Sequence, residues 1–259
     1  MSEANTYSLV GRCERTGELG AAVASAVPAV GAVCLVPRPG IGIASTQSWV
    51  NPYLAHDALD RMARDAGASA GAGAGTGAGA GAALDAVLAE DPAEGLRQIG
   101  LIGATGPGAA HTGAGCTPWC GQVTGADFAA QGNMLTGQAV IDAMAAAFAA
   151  GPDAALEERL MRALEAAQAS GGDRRGRQSA ALMVLNAEAY PRVDLRVDED
   201  ADPIARLRHV LTVATAQLAP FVAGMPRRGA AASPPDPATV DMLLESPPDR
   251  PGGGGSAEP

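Results

Sequence analysis

The chain contains no lysine: all 18 basic residues among its 259 are arginine. Mechanisms that need a lysine amine, Schiff-base cofactor chemistry among them, are thereby excluded. Aromatic residues are nearly as scarce, at 3%. The chain is 47% apolar, so its core must be built largely from small side chains in close layers. Basic residues are outnumbered by 28 acids, giving a net charge of −10, the opposite of the basic face that nucleic acid requires. Beyond Arg228 stand five acids and one arginine, which leaves about −6 for the rest. No uninterrupted apolar run is long enough to span a bilayer. The start lacks the basic and apolar stretches of a secretion signal, which points to the cytoplasm and to four reduced cysteines.

What the chain does have is strand alternation near its beginning. After a polar leader at residues 1–5, Thr6-Tyr7-Ser8-Leu9-Val10 has the period of a half-buried strand. Thr16-Gly17 then reads as a hairpin loop, followed by Leu19 to Ser25 as the second strand. Gly31 to Val36 and Gly40 to Gln47 continue the strand-forming region. The pattern predicts a first helix over about Leu54 to Ala66, a short one over Leu84 to Ala89, and a strand from Leu96 to Ala104 with Ile99, Leu101 and Ile102 as its apolar residues. Residues 67–83 are almost pure Gly and Ala and read as an expanded loop, which closure entropy tolerates. Ala109 to Thr112, Trp119 to Val123 and Asp127 to Gln131 are further strand candidates. Two helices are expected next, Gly137 to Ala150 and one capped by Asp153 and stopped at Gly171-Gly172. Gln178 to Leu185 and Arg192 to Val197 read as strands, and Asp202-Pro203 opens a last helix. The Pro- and Gly-rich segment 221–259 is expected to be disordered apart from a short helix near Val240 to Glu245. This order indicates an α+β domain over residues 6–220, with sheets carrying helices on their outer faces.

Three stretches carry a resemblance: the run from Thr6 to Gln47, then Gln131-Gly132-Asn133-Met134-Leu135, then Gly172-Asp173-Arg174-Arg175-Gly176-Arg177-Gln178-Ser179-Ala180-Ala181. Together they resemble the bacterial family called domain of unknown function 1028, in order, over roughly Thr6 to Leu218 with one insertion. That family is grouped with the N-terminal-nucleophile hydrolases. The resemblance implies a four-layer αββα sandwich and a hydrolytic reaction class, but no substrate. It also implies a role for Thr6, because the family begins Met-Thr and loss of Met bares a threonine α-amine. Such an amine serves as the base for its own hydroxyl and needs no His, Lys or cofactor. Here five residues precede Thr6, so either translation starts later, or the leader is cleaved between Asn5 and Thr6, or the site is dead and Thr6 is an ordinary β-branched strand residue.

Other residues are candidates for the same cleft. Asn133, between a strand and a helix, has an amide suited to a developing oxyanion, or it is a turn residue. Ser25 and Gln47, late on adjoining strands, are polar liners of the cleft or partners for buried backbone. Asp173 would orient Arg174 or the α-amine, and Arg174 would hold a substrate carboxylate, unless the pair is a solvated turn. Cys116-Thr117-Pro118-Trp119-Cys120 is half a zinc site without a second half, so no metal is expected. No Gly-x-Ser-x-Gly elbow is present, and the Gly-rich runs lack the Lys-Ser/Thr ending of a phosphate loop. The leading expectation is hydrolysis of an amide or other C–N bond in a small molecule. The alternative is a non-catalytic binding or assembly protein on the same fold. Low aromatic content and alternating sheet faces point to a homodimer.

Overall fold

The computed structural model describes residues 6–69, 79–230, 234 and 236–244. The leader at 1–5, the middle of the Gly/Ala loop and the end of the expected tail lie outside the described residues. The chain divides into two compact units, residues 1–209 and 210–259.

The first unit begins with strands β1 (Thr6–Arg12) and β2 (Leu19–Ser25), helix α1 (Val30–Cys34), and strands β3 (Leu35–Arg38) and β4 (Gly42–Ser48). Helices α2 (Pro52–Ser69) and α3 (Ala80–Leu88) follow. Then come β5 (Arg97–Gly103), β6 (Ala109–Thr112), β7 (Gly121–Thr124) and β8 (Phe128–Asn133). Helices α4 (Ala139–Ala149) and α5 (Leu156–Ala169) lead to β9 (Ser179–Leu185) and β10 (Pro191–Val197). Helix α6 (Pro203–Gln217) contains the boundary between units. The second unit carries α7 (Ala219–Ala223) and α8 (Pro237–Leu244).

The strands form two antiparallel sheets, one of six strands in the order β10-β9-β2-β1-β8-β7 and one of four in the order β3-β4-β5-β6. Val10, Leu19, Ala21, Val23 and Ala129 of the first sheet share one buried cluster with Leu35, Ile43 and Ile102 of the second, so the sheets pack face to face. The opposite face of the four-stranded sheet, with Ala44, Ile99 and Leu101, is covered by Leu59, Met62, Leu84 and Val87 of α2 and α3. Helices α4 and α5 cover the other sheet. Their approach is close enough to require glycine in the strands: a Cβ on Gly20 would lie 2.7 Å from a Leu160 methyl and 2.9 Å from the Met183 carbonyl oxygen. Small strand residues thus replace aromatic bulk as the means of filling the interior.

Two local expectations change. Val30–Cys34, expected to be strand, is a short helix. Ala29 takes φ 52° and donates its N–H to the Asp198 carbonyl, while Ser179 Oγ accepts from Val30 N–H; these bonds turn the chain before it can extend. Helix α5 starts at Leu156 after Ala155, not at a cap made by Asp153.

No helix among the described residues is long and apolar enough to cross a membrane.

Candidate active site

The layer between the sheets changes character along the strands. At one end it is apolar, with Val10, Ile43, Ile102 and Ala129. Toward the start of β1 it becomes polar. Thr6, Ser8, Ser25, Gln47, Gln98, Gln131, Asn133 and Ser179 are all buried there, six of them with no accessible surface. Strand parity causes this, since alternate residues point to the same face and each contributing strand turns polar at the same level.

Register brings the expected residues together. Thr6 lies opposite Ser25 of β2 on one side and Asn133 of β8 on the other. Directly opposite residues place their Cβ atoms roughly 4.5–5.5 Å apart. Thr6 Oγ1 donates to Ser25 Oγ at 3.2 Å. Gln47 reaches across from the four-stranded sheet and donates through Nε2 to the Thr6 carbonyl at 3.1 Å. Ser25 and Gln47 are on facing sheets rather than on adjoining strands, and Asn133 is the last residue of β8 itself, not a residue beyond it.

Gln98 on β5 is the residue the sequence reading missed. Its Nε2 donates to the Gly132 carbonyl at 2.8 Å and to Thr112 Oγ1 at 2.9 Å. Its Oε1 accepts from Gln47 Nε2 at 2.8 Å and from Asn133 Nδ2 at 2.9 Å. Ser8 Oγ donates to Gln47 Oε1 at 2.7 Å and accepts from Gln131 Nε2 at 2.6 Å. The amides therefore tie the two sheets together through bonds that are strong because water is excluded. Every member is neutral: the only charged residues buried in the described chain are Asp173 and Arg159, and Arg159 lies elsewhere, stacked 4.0 Å over the Phe148 ring.

Asp173 stands just beyond Thr6. It bridges to Leu135, two residues past Asn133, and its Oδ2 accepts from Ala26 N–H at 3.2 Å, one residue past Ser25. Because β1 runs between β2 and β8, this carboxylate spans the gap at the start of β1. Its side-chain partner is Arg175, with Nη2 at 3.3 Å and the backbone N–H at 2.9 Å, and not Arg174 as the sequence suggested. Asp173 is 4% exposed and so is no solvated turn residue. Arg174 donates its backbone N–H to the Met134 carbonyl at 3.2 Å and is exposed. Behind Asp173, Tyr7 donates its hydroxyl to Gln168 Oε1. Burial first, and then the Asp173 carboxylate, push the Tyr7 hydroxyl far above its ordinary value, so it remains a neutral phenol.

The cysteine loop flanks the site without forming a ligand set. Thr117 and Trp119 carbonyls accept from Met134 and Leu135 N–H groups. Burial raises both the Cys116 and Cys120 thiols. No group of three or more His, Cys, Asp or Glu among the described residues is arranged to hold a metal ion.

A solved structure of protein SPO2555 from Silicibacter pomeroyi is 29% identical, with a TM-score of 0.75, covering 86% of this chain and 95% of that one. That protein is described under the family model DUF1028. Anbu (ancestral beta-subunit) from Yersinia bercovieri is 13% identical over 86% of this chain and all of its own, with a TM-score of 0.35, too slight a likeness to indicate a shared fold. No curated protein matches the chain. The model of the Family of unknown function (DUF1028) matches residues 6–207. That span begins at Thr6 and takes in every strand, Asn133 and the Asp173 loop, so the chain belongs to the DUF1028 family.

Proposed function

We propose that this protein hydrolyses an amide or other C–N bond in a small molecule, with Thr6 as nucleophile once the bond between Asn5 and Thr6 has been cut. The observation that carries this reading is the neutrality of the buried cluster. Among the described residues, the side chains bonded into the cluster around Thr6 are hydroxyls and amides, with no imidazole or guanidinium, and the Asp173 carboxylate stands outside it, beyond the start of β1. A hydroxyl nucleophile in such surroundings needs a base, and a freed threonine α-amine supplies one at the required place. The layering of helices, two facing sheets and helices supports the N-terminal-nucleophile αββα form of the α+β fold.

In the proposed mechanism, Thr6 Oγ1 attacks the substrate carbonyl and its proton passes to the α-amine. Asn133 donates to the oxyanion. The C–N bond breaks, the leaving nitrogen takes the proton, and water cleaves the resulting ester. In this scheme Asp173 would pair with the α-ammonium, and the exposed Arg174 would hold a substrate carboxylate. No step in this scheme calls on a cofactor.

The rival reading, a non-catalytic binding or assembly protein, is favoured by one observation: Thr6 has no accessible surface. Intact mass and N-terminal sequencing of the natively expressed protein decide between them. A chain starting at Thr6 supports the hydrolase, and an amide screen with a Thr6→Ala control then finds the substrate. A chain that keeps residues before Thr6 over days of storage overturns it.

A further inference from the structure

We infer that Gln98 is a positioning residue, which fixes the direction in which Asn133 presents its amide; the catalytic meaning of this rests on the hydrolase reading above. The Gly132 carbonyl oxygen only accepts, so the Gln98 atom 2.8 Å from it is the nitrogen. Gln98 Oε1 then faces the other way, as an acceptor. The Asn133 atom 2.9 Å from it must be Nδ2, and the Gln47 atom 2.8 Å from it must be Nε2. One backbone carbonyl thus sets the orientation of three side-chain amides.

The consequence for Asn133 is specific. One hydrogen of Nδ2 is committed to Gln98, so the ring of partners prevents the amide from flipping and presenting Oδ1 in its place. The second hydrogen sits on the same fixed nitrogen, so the group Asn133 would present to Thr6, its register partner, is a donor and not Oδ1. Flipped, the same side chain would turn a carbonyl oxygen toward a developing negative charge. The same glutamine holds Gln47, whose Nε2 also binds the Thr6 carbonyl, so Gln98 acts on both neighbours of the nucleophile. All of these atoms are buried: Gln98 and Gln47 have no accessible surface and Asn133 has 2%. Solvent therefore does not compete to reorient them.

Two measurements on the full-length protein as natively expressed test this. The first is the side-chain amide NMR signal of Asn133, assigned by its loss in Asn133→Asp. Solvent exchange much slower than for Asn51 is expected in wild type, and exchange faster by at least about tenfold in Gln98→Met, the variant that removes donor and acceptor at similar length. The second is acylation by a β-lactone, followed by intact mass. Thr6 Oγ bonds to the lactone carbonyl, the lactone C–O bond opens, and the hydroxyl proton ends on the released alcohol. In Gln98→Met the maximal acylation rate should fall about 10²-fold, the scale of losing one oxyanion donor, with little change in the half-saturating lactone concentration. Asn133→Ala added to Gln98→Met should cost almost nothing more, because both act through one donor. Gln98→Glu should restore most of the rate, since a buried neutral carboxyl keeps one donor and one acceptor. Unchanged Asn133 exchange in Gln98→Met overturns the inference whatever the protein's reactivity. A wild-type protein that resists acylation at Thr6, with Asn133 exchange still dependent on Gln98, overturns the hydrolase reading and with it the catalytic role, leaving the orientation intact.

Discussion

Gly100→Ala probes the joint between the sheets. Gly100 faces the inner layer from β5, and the Gln131 side chain lies flat across it. A Cβ there would sit 2.5 Å from both Gln131 Cδ and Nε2, and would overlap Oε1. Gln131 has no room to retreat: it is fully buried and tied to Ser8 Oγ at 2.6 Å. Its Oε1 finds no hydrogen-bond partner among the described residues, so the Ser8 bond is what anchors the amide. Overpacking a core by one carbon costs about 1–3 kcal/mol, and stranding the Gln131–Ser8 bond adds about 1–3 kcal/mol. Loss of glycine's freedom in the unfolded chain returns about 0.4–1 kcal/mol. With each contribution at mid-range the expected net loss is about 3 kcal/mol, or roughly 6–12 °C in Tm for a unit of this size. Thermal unfolding followed by near-UV circular dichroism measures it. Gly81→Ala is the control, because its Cβ meets nothing within 4 Å and should stabilise helix α3 slightly. Gly100→Ala combined with Gln131→Ala should recover part of the loss by removing the group that clashes. A Gly100→Ala protein with wild-type Tm would refute the packing of Gln131 over β5, and with it the sheet-to-sheet amide chain.

Two further outcomes follow from the ionisable groups. Burial works to raise the Glu157 and Glu158 carboxyls, but hydrogen bonds and charge from Arg192 and Arg208 respectively bring both below the ordinary glutamate value of 4.5. A lowered folded value means stabilisation that is present above the unfolded value and lost as pH falls through the folded one. Tm should therefore drop on acidification below about pH 4.5, and drop less in Arg192→Gln, which has already lost the Arg192–Glu157 pair along with Arg192–Glu18; parallel Tm-versus-pH curves for the two proteins would contradict this. Cys34 is fully buried, and burial pushes its thiol up to about 12. Iodoacetamide at neutral pH should therefore label the half-buried Cys120 before Cys34 in the folded protein, as read by peptide mass spectrometry; early labelling of Cys34 would mean that α1 opens.

Much of the fold was legible because it rests on period and punctuation. Thr6 to Val10 alternates, Thr16-Gly17 closes a hairpin, and the helical stripes of α4 and α5 end near their glycines. The site was legible only in part. Thr6 and Asn133 were marked by motif, and register then made them neighbours. Arg175 was confused with Arg174 because they sit in a loop between Gly172 (φ 58°) and Gly176 (φ 115°), where left-handed glycines break any periodic rule for side-chain direction.

Gln98 was missed for a more instructive reason. Within β5 the eye counts Ile99, Leu101 and Ile102 and reads a strand buried on both faces, in which one glutamine looks incidental. Yet a primary amide in such a strand is costly unless every polar atom is paired, and backbone groups already committed to the ladder supply few partners. Gln98 must therefore meet other polar side chains on the facing sheet. Ser8, Gln47 and Gln131 have the same anomaly, each a polar residue on the buried inner face of its strand. Four such residues on four strands cannot be satisfied separately. The requirement that they meet specifies that the sheets face one another and at what level, before any catalytic motif is considered. The same requirement explains why the cluster is neutral: amides and hydroxyls can each donate and accept, so they link into a network without counter-ions, with Gln131 Oε1 left over, whereas a buried charge would need its own partner within the layer. In the hydrolase proposed above, a neutral network around Thr6 would leave the proton chemistry to the α-amine that cleavage before Thr6 would free.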